Sequence, residues 1–389
     1  MKILYLHTEV GGELNSFGVE THVKSMVSAL RQLGHYVDIK FPGNTHSRKS
    51  LRLAYVTILK KIAPNFVCNY MRELFLRLHD IRSYRRLAKY LKQRPVDILY
   101  ERHSGTSSVG LRLAKAFHIP RIVDIIGPID QNIRYYNYPR KGYYVLRQIR
   151  SLQSADGITT SSSYMKRHLI DIGIEKNKIF VIPNGVDLKM FDPRCRTDNL
   201  REQLNLMNKF ILGYSGSFSP WNGVEILLRV GLSLKKLIPN FHLLIVGDGK
   251  SRKQLQRYCD LNSLRRNVTF VGSVPHSEMP KYINLMDIAV IPNSNPAGSP
   301  AKLFEYMAMR KPVAAPILPP LTDVLRNRSD SILFKPENED QLARAIFTLY
   351  SDPSLMKKIS ARARDKAVHN FSWDLLAKRL ETIFVQVMR

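Results

Sequence analysis

The chain has 389 residues, 44% of them hydrophobic, and carries 60 Lys and Arg against 32 Asp and Glu, a formal charge of +28. That length makes two domains the natural expectation, and no apolar run approaches the ~18–20 residues that span a bilayer. The charge favours polyanionic partners, namely nucleic acid, an anionic membrane or phosphorylated small molecules, while the scattered Cys68, Cys195 and Cys259 fit neither a disulfide framework nor a zinc pattern.

The N-terminus enters directly into a strand, Lys2–Leu6, with no signal-peptide architecture before it, so a cytosolic compartment is expected. The loop Thr8–Gly18 leads into a helix with Val19, Val23, Met26, Val27, Leu30 and Leu33 on one face, and Tyr36–Ile39 is the second strand. This β-α-β opening lacks GxGxxG, which disfavours a dinucleotide-dependent dehydrogenase. Residues 46–95 are strongly basic, with Leu74, Leu78, Ile81 and Leu87 interleaved at helical spacing. They read either as a pair of solvated basic helices or as a surface that docks on anionic lipid headgroups. No helix-turn-helix, zinc-finger or RRM signature accompanies the charge, so specific nucleic-acid binding is not expected.

Val96–Tyr100, Arg121–Gly127, Ala155–Ser161 and Ile179–Ile182 continue the strands, with a helix at Val109–Phe117. Tyr135, Tyr136, Tyr138, Tyr143 and Tyr144, with Arg134, Arg140, Lys141 and Arg147, form an aromatic-basic patch. It fits a sugar or a lipid headgroup, or a loop packed by its own tyrosines. Pro183–Asp187 reads as a turn and a boundary. Beyond it strands fall at Phe210–Tyr214, Phe241–Val246, Val268–Val271, Ile288–Ile291, Val313–Ala315 and Ser331–Phe334, with helices between them and a helical, basic tail after about residue 354. Ligands bind at the carboxyl ends of such strands, so the loops at Ser215–Ser217, Gly247–Gly249 and Gly272 should line one crevice.

The stretch Asn293–Ala308 is the most informative. Ser299 reads as an N-cap and Pro300 as the first helical residue. The unpaired N–H groups of the first turn make an anion site, with Gly298 letting a ligand approach the backbone and Lys302 adding a full charge. Glu305 lies on the same face, roughly 4.5 Å further along the axis. A diphosphate against Lys302 and a ribose against Glu305 fit that spacing, and so does a surface helix with an i,i+3 ion pair.

Taken in order, Gly18–Val23, Ile182–Asp187, Val246–Gly249, Ser299–Ala308 and Lys311–Val313 resemble the GT-B glycosyltransferases, specifically the retaining family 4, glycosyl transferases group 1. The resemblance covers nearly the whole chain. It implies two doubly wound Rossmann-like α/β domains facing each other across a donor/acceptor cleft. Residues 1–184 would bind the acceptor and 185–365 the nucleotide-diphosphate sugar, while 366–389 would form a C-terminal helix crossing back to the first domain. It also implies a sugar transferred to a hydroxyl of a glycan or lipid-linked acceptor on the inner membrane face, without metal or cofactor, by front-face displacement assisted by the leaving phosphate. No Asp-x-Asp is present. Leaving-group charge would then fall on fixed donors and cations.

By the same resemblance His103, Lys302 and Glu305 carry the chemistry. The donor is bound by Gly18, Gly216, Ser217, Asn222, Gly249, Val274, Gly298, Ser299, Lys302, Leu303 and Glu305, with Gly249 and Val274 nearest the base. The chain departs from the family at Ala297, where a first glutamate is usual, and at Asn222, where lysine is common. Backbone N–H groups of Gly298 and Ser299 are expected to replace the missing carboxylate, and Arg310 stands where glycine is common. These departures leave a catalytically inactive nucleotide-sugar-binding or scaffold protein as the alternative.

Overall fold

A computed structural model describes residues 1–8, 17–41, 65–103, 107–125, 127–129, 140–197 and 199–389, giving the backbone alone at 17–20, 65, 66, 69 and 72. It divides into two compact units, Met1–Ile182 with Leu376–Arg389, and Pro183–Leu375.

The first unit is built on a six-stranded sheet, in the order β2-β1-β3-β4-β5-β6. Its strands are β1 (Lys2–His7), β2 (Tyr36–Lys40), β3 (Ile98–Arg102), β4 (Arg121–Ile125), β5 (Gly157–Thr160) and β6 (Ile179–Val181), and every pairing is parallel. β1, β3 and β4 are buried on both faces, which is why they read as continuous apolar runs. Helices Phe17–Gln32, Val109–Phe117, Lys141–Gln153 and Ser163–Asp171 connect the strands. The last helix, Trp373–Met388, contributes Phe384 against the Tyr100 ring and Glu381 against His35.

Of the basic segment, the part at 65–93 forms a continuous helix, Asn65–Gln93, and the part at 46–64 lies outside the described residues. Leu76, Leu87 and Leu91 are buried, whereas Tyr70, Met71, Leu74, Phe75, Leu78 and Ile81 are exposed. Glu73 and Asp80 are buried too. Glu73 pairs with Arg77, and Asp80 accepts from Ser107, Ser108 and Arg147. Of the aromatic-basic patch, Arg134, Tyr135, Tyr136 and Tyr138 lie outside the described residues. Tyr143 and Tyr144 sit on the Lys141–Gln153 helix rather than on a loop, with Tyr144 buried and Tyr143 half exposed.

The second unit has a six-stranded sheet in the order β12-β11-β10-β7-β8-β9. The strands are β7 (Phe210–Ser215), β8 (Phe241–Val246), β9 (Val268–Gly272), β10 (Ile288–Val290), β11 (Val313–Pro316) and β12 (Ile332–Phe334), again all parallel. The chain winds outward from β7 to β9, then returns to the other side of β7 as β10. That reversal makes the carboxyl ends of β7 and β10 the switch point, the place where doubly wound sheets take ligands. The first unit reverses in the same way between β1 and β3.

Candidate active site

The second unit's switch point is held open by backbone crossings and two tyrosines. Gly216, just after β7, has φ +139°, and Gly247, after β8, has φ +134°, in the region glycine favours. A Cβ on Gly247 would lie 1.9 Å from the Gly216 carbonyl oxygen, so these loops cross with no room for a side chain. The Gly216 N–H donates to Val246 O, and the Gly247 N–H to Gly272 O. From the following helix, Ala301–Ala308, Tyr306 reaches back to β7, its hydroxyl accepting the Ser215 N–H at 2.7 Å. Tyr214 donates to Ser217 O at 2.8 Å, and Asn222 donates to the same carbonyl. Asn222 therefore braces the loop as a neutral donor where a lysine would bring charge.

Lys302 projects from this helix into that loop. Its Nζ donates to the Tyr214 hydroxyl at 3.0 Å and lies 4.1 Å from the centre of the Tyr214 ring. A Cβ on Gly216 would approach Nζ to 2.7 Å, so only glycine leaves room for the ammonium there. Burial pushes the Lys302 pKa down to about 7, against the attraction of Glu305. Glu305 turns elsewhere, its Oε1 meeting Nε2 of His276 at 2.9 Å. The i,i+3 ion pair that the spacing allows is thus replaced by two separate anchorages.

Several local expectations are corrected. Pro300, not Ser299, occupies the N-cap, with no side-chain capping bond, and the helix starts at Ala301. The Ser299 hydroxyl instead accepts the Asn184 N–H at 3.0 Å, while the Asn184 amide donates to Ser299 O. The Gly298 N–H is taken by Asn295 O, so it does not replace the missing carboxylate of Ala297, itself buried. A Cβ on Gly298 would meet only Asn295 atoms, the nearest at 3.7 Å, so the fold itself does not require glycine there. Leu303 is fully buried and its N–H donates to Pro300 O, so its side chain packs in the core. Among the described residues, the Ser299, Ala301 and Lys302 N–H groups have no acceptor. They are open donors at the start of the helix that carries Lys302. Gly249 sits tightly against Phe218, and Val274 is a half-buried neighbour of the core beyond β9.

In the first unit His103 follows β3. Its Nδ1 faces the buried Glu101 at 3.2 Å, and its Nε2, also buried, has no partner among the described residues. Glu101 also receives the Arg121 Nε at 2.6 Å. Burial raises the Glu101 carboxyl pKa, but Arg121 and His103 outweigh it and hold the group at about 2. Beside this cluster Arg102 pairs with Asp124 at 2.9 Å. Gly18 lies in the first turn of the Phe17–Gln32 helix. Ser104 and Gly105 after His103, and the Thr8–Gly18 loop from residue 9 to 16, fall outside the described residues.

The sequence singled out Lys302 and Glu305 but not the residues that aim them. Tyr214 and Tyr306 stand there only within a strand and a motif stretch, and His276 is not singled out. The available signal was position, since Tyr214 stands at the carboxyl end of β7 and His276 in the loop after β9.

Two parallel-sheet units, each with a polar cluster at its switch point, define the GT-B class. The family models agree. Residues 18–190 match "Glycosyltransferase Family 4" and 196–366 match "Glycosyl transferases group 1". The uncharacterised glycosyltransferase MJ1607 of Methanocaldococcus jannaschii is 24% identical over 380 residues, covering 94% of each chain. The Escherichia coli UDP-Gal:alpha-D-GlcNAc-diphosphoundecaprenol alpha-1,3-galactosyltransferase is 24% identical over 327 residues, 82% of this chain and 81% of that one. Among solved structures, Anabaena Alr3699/HepE in complex with UDP superimposes with a TM-score of 0.78 at 18% identity, covering 99% of this chain and 100% of that one. The chain belongs to the family 4 GT-B glycosyltransferases.

Proposed function

We propose that the chain is a retaining glycosyltransferase that moves a sugar from a nucleotide-diphosphate donor to a hydroxyl of a glycan or lipid-linked acceptor. The observation that carries this is the separation of Lys302 from Glu305 at the β7/β10 switch point. The ammonium over Gly216 and the open N–H groups of Ser299, Ala301 and Lys302 suit a diphosphate. Glu305, one turn on, suits the vicinal hydroxyls of a ribose, and the loops at Gly249 and Val274 suit the base. In the transition state these donors would take the charge that develops on the leaving diphosphate, and the phosphate oxygen would assist the incoming hydroxyl on the same face of the sugar. From the first unit, His103 and Gly18 are proposed donor-site residues, as the family resemblance implies. The names of the Escherichia coli and Anabaena relatives support a nucleotide-linked donor and a lipid-linked acceptor.

A thermal-shift panel with UDP, GDP, ADP and their sugar conjugates, on wild type and Glu305→Ala, tests the donor site. A ligand at a hundred times its dissociation constant adds about 2.7 kcal/mol, so one nucleotide should shift wild type and not the variant. The absence of any shift would overturn the reading. Ala297 favours an inactive, nucleotide-sugar-binding protein as the second reading. Sugar turnover that both Lys302→Ala and Glu305→Ala abolish would eliminate it.

The proposed cytoplasmic enzyme is peripheral on an anionic membrane, and the face of the Asn65–Gln93 helix supports that association. Tyr70, Met71, Leu74, Phe75, Leu78 and Ile81 are exposed, and at 100° per residue they fall within an arc of roughly 140°. Arg82, Arg85, Lys89 and Lys92, also exposed, continue that arc. An apolar surface followed by cations on one helix face is the pattern of an interfacial helix.

A further inference from the structure

We infer that His276 is a positioning residue for Glu305, fixing the carboxylate that receives the donor ribose; the inference rests on the donor-site reading above. His276 opens a short turn, His276–Glu278, beyond β9. Its ring packs on the buried Phe191, with centroids 5.2 Å apart and planes inclined at 55°. Phe191 belongs to the apolar core beneath the Ala301–Ala308 helix, so the imidazole rests against a fixed surface with Nε2 directed at Glu305 Oε1, 2.9 Å away. Facing a carboxylate, Nε2 must be the protonated nitrogen, since a carboxylate only accepts. Both side chains are largely enclosed, at 18% and 12% exposure, where a hydrogen bond to a charged group is strong.

This contact does for Glu305 what Tyr214 does for Lys302. A glutamate has three rotatable torsions, and ordering them when a ligand arrives costs affinity. The pair removes that cost beforehand. Oε1 is held by one N–H and keeps a further lone pair, while Oε2 has no protein partner among the described residues. The carboxylate is therefore presented in one plane with capacity for two hydroxyls. A diol recognised in this way should be discriminated strongly from its deoxygenated analogue, because the deoxy ligand leaves a desolvated carboxylate unpaired.

The test measures binding of UDP, GDP and ADP, each beside its 2′,3′-dideoxy counterpart, by calorimetry on wild type, His276→Leu, His276→Gln and Glu305→Gln. Wild type should prefer the natural nucleotide by about tenfold or more, the factor a hydrogen bond to a charged group is worth. His276→Leu should lose most of that preference while binding the dideoxy nucleotide as wild type does. His276→Gln, whose amide N–H can reach Oε1, should recover it. A wild-type preference in His276→Leu would overturn the inference, as would an equal loss of both ligands, the mark of a merely structural cross-link. A wild type that binds all the natural nucleotides no better than their dideoxy forms would remove the ribose role of Glu305, and the inference with it. A wild type that binds none of them would overturn the donor site itself.

Discussion

Lys302 carries a protonation signature that a surface lysine would lack. Its pKa of about 7 comes from burial beneath Tyr214, so at pH 8 the free enzyme holds it mainly neutral. A diphosphate beside it favours the ammonium and raises that pKa, and binding must then take up a proton. At pH 8 the nucleotide phosphates are already ionised and mask nothing. Calorimetry of nucleotide binding in buffers of different ionisation enthalpy should show uptake approaching one proton, absent in Lys302→Met. A binding heat independent of buffer in wild type would show that the ammonium does not meet the diphosphate. Gly298 gives a complementary reading of backbone approach. With 3.7 Å of clearance for a Cβ, Gly298→Ala should leave the melting temperature within about 2 °C, the range of a strain-free surface change. It should nevertheless weaken nucleotide binding if the ligand lies on that backbone, and unchanged affinity would place the ligand elsewhere.

The Ala301–Ala308 helix shows where sequence reading succeeds and where it stops. Its periodicity, the preceding apolar strand and the Lys302/Glu305 spacing were all local, and local pattern places them. Its start was misread because Ser299 and Pro300 are common capping residues, while here the Ser299 hydroxyl is engaged by Asn184, distant in sequence. The partners of the two key side chains were illegible for the same reason. Tyr214 and His276 lie 88 and 29 residues from the groups they anchor, and no periodicity reports a contact across that separation. Tyr306 is the clearest structural case, being the residue beside Glu305 in the motif yet bonded to the backbone of β7. Removing its hydroxyl leaves the buried Ser215 N–H without an acceptor, a loss of about 1–3 kcal/mol. Tyr306→Phe should therefore lower the denaturant midpoint at unchanged m-value and weaken nucleotide binding, because the Gly216 loop follows directly. A midpoint equal to wild type would mean that the loop finds another acceptor.

At the scale of the molecule, the alternation of strands and helices was legible because parallel strands buried on both faces announce themselves as apolar runs. The basic segment was legible as charge but not as geometry. Leu87 and Leu74 read alike in the sequence, yet one is in the core and the other on the exposed face of the Asn65–Gln93 helix. That sorting turns a net charge of +28, which by itself favours any polyanion, into a surface with a direction. Apolar residues over the first half of the helix face and cations over the second would bind an acidic membrane by two separable terms. Each cation near an acidic membrane contributes about 1 kcal/mol and is screened by salt, whereas the apolar contribution is not. In flotation assays the protein should therefore partition onto vesicles containing acidic phospholipid and not onto neutral ones. Arg82→Glu with Arg85→Glu should weaken binding at least tenfold at low salt, and its effect should shrink as salt rises. Leu74→Ser with Leu78→Ser should weaken binding at every salt concentration while leaving stability nearly unchanged, since both side chains are exposed. Equal binding to neutral and acidic vesicles would remove the electrostatic term. An effect of the leucine pair that vanished with salt would show that the helix face touches the headgroups only through its charges.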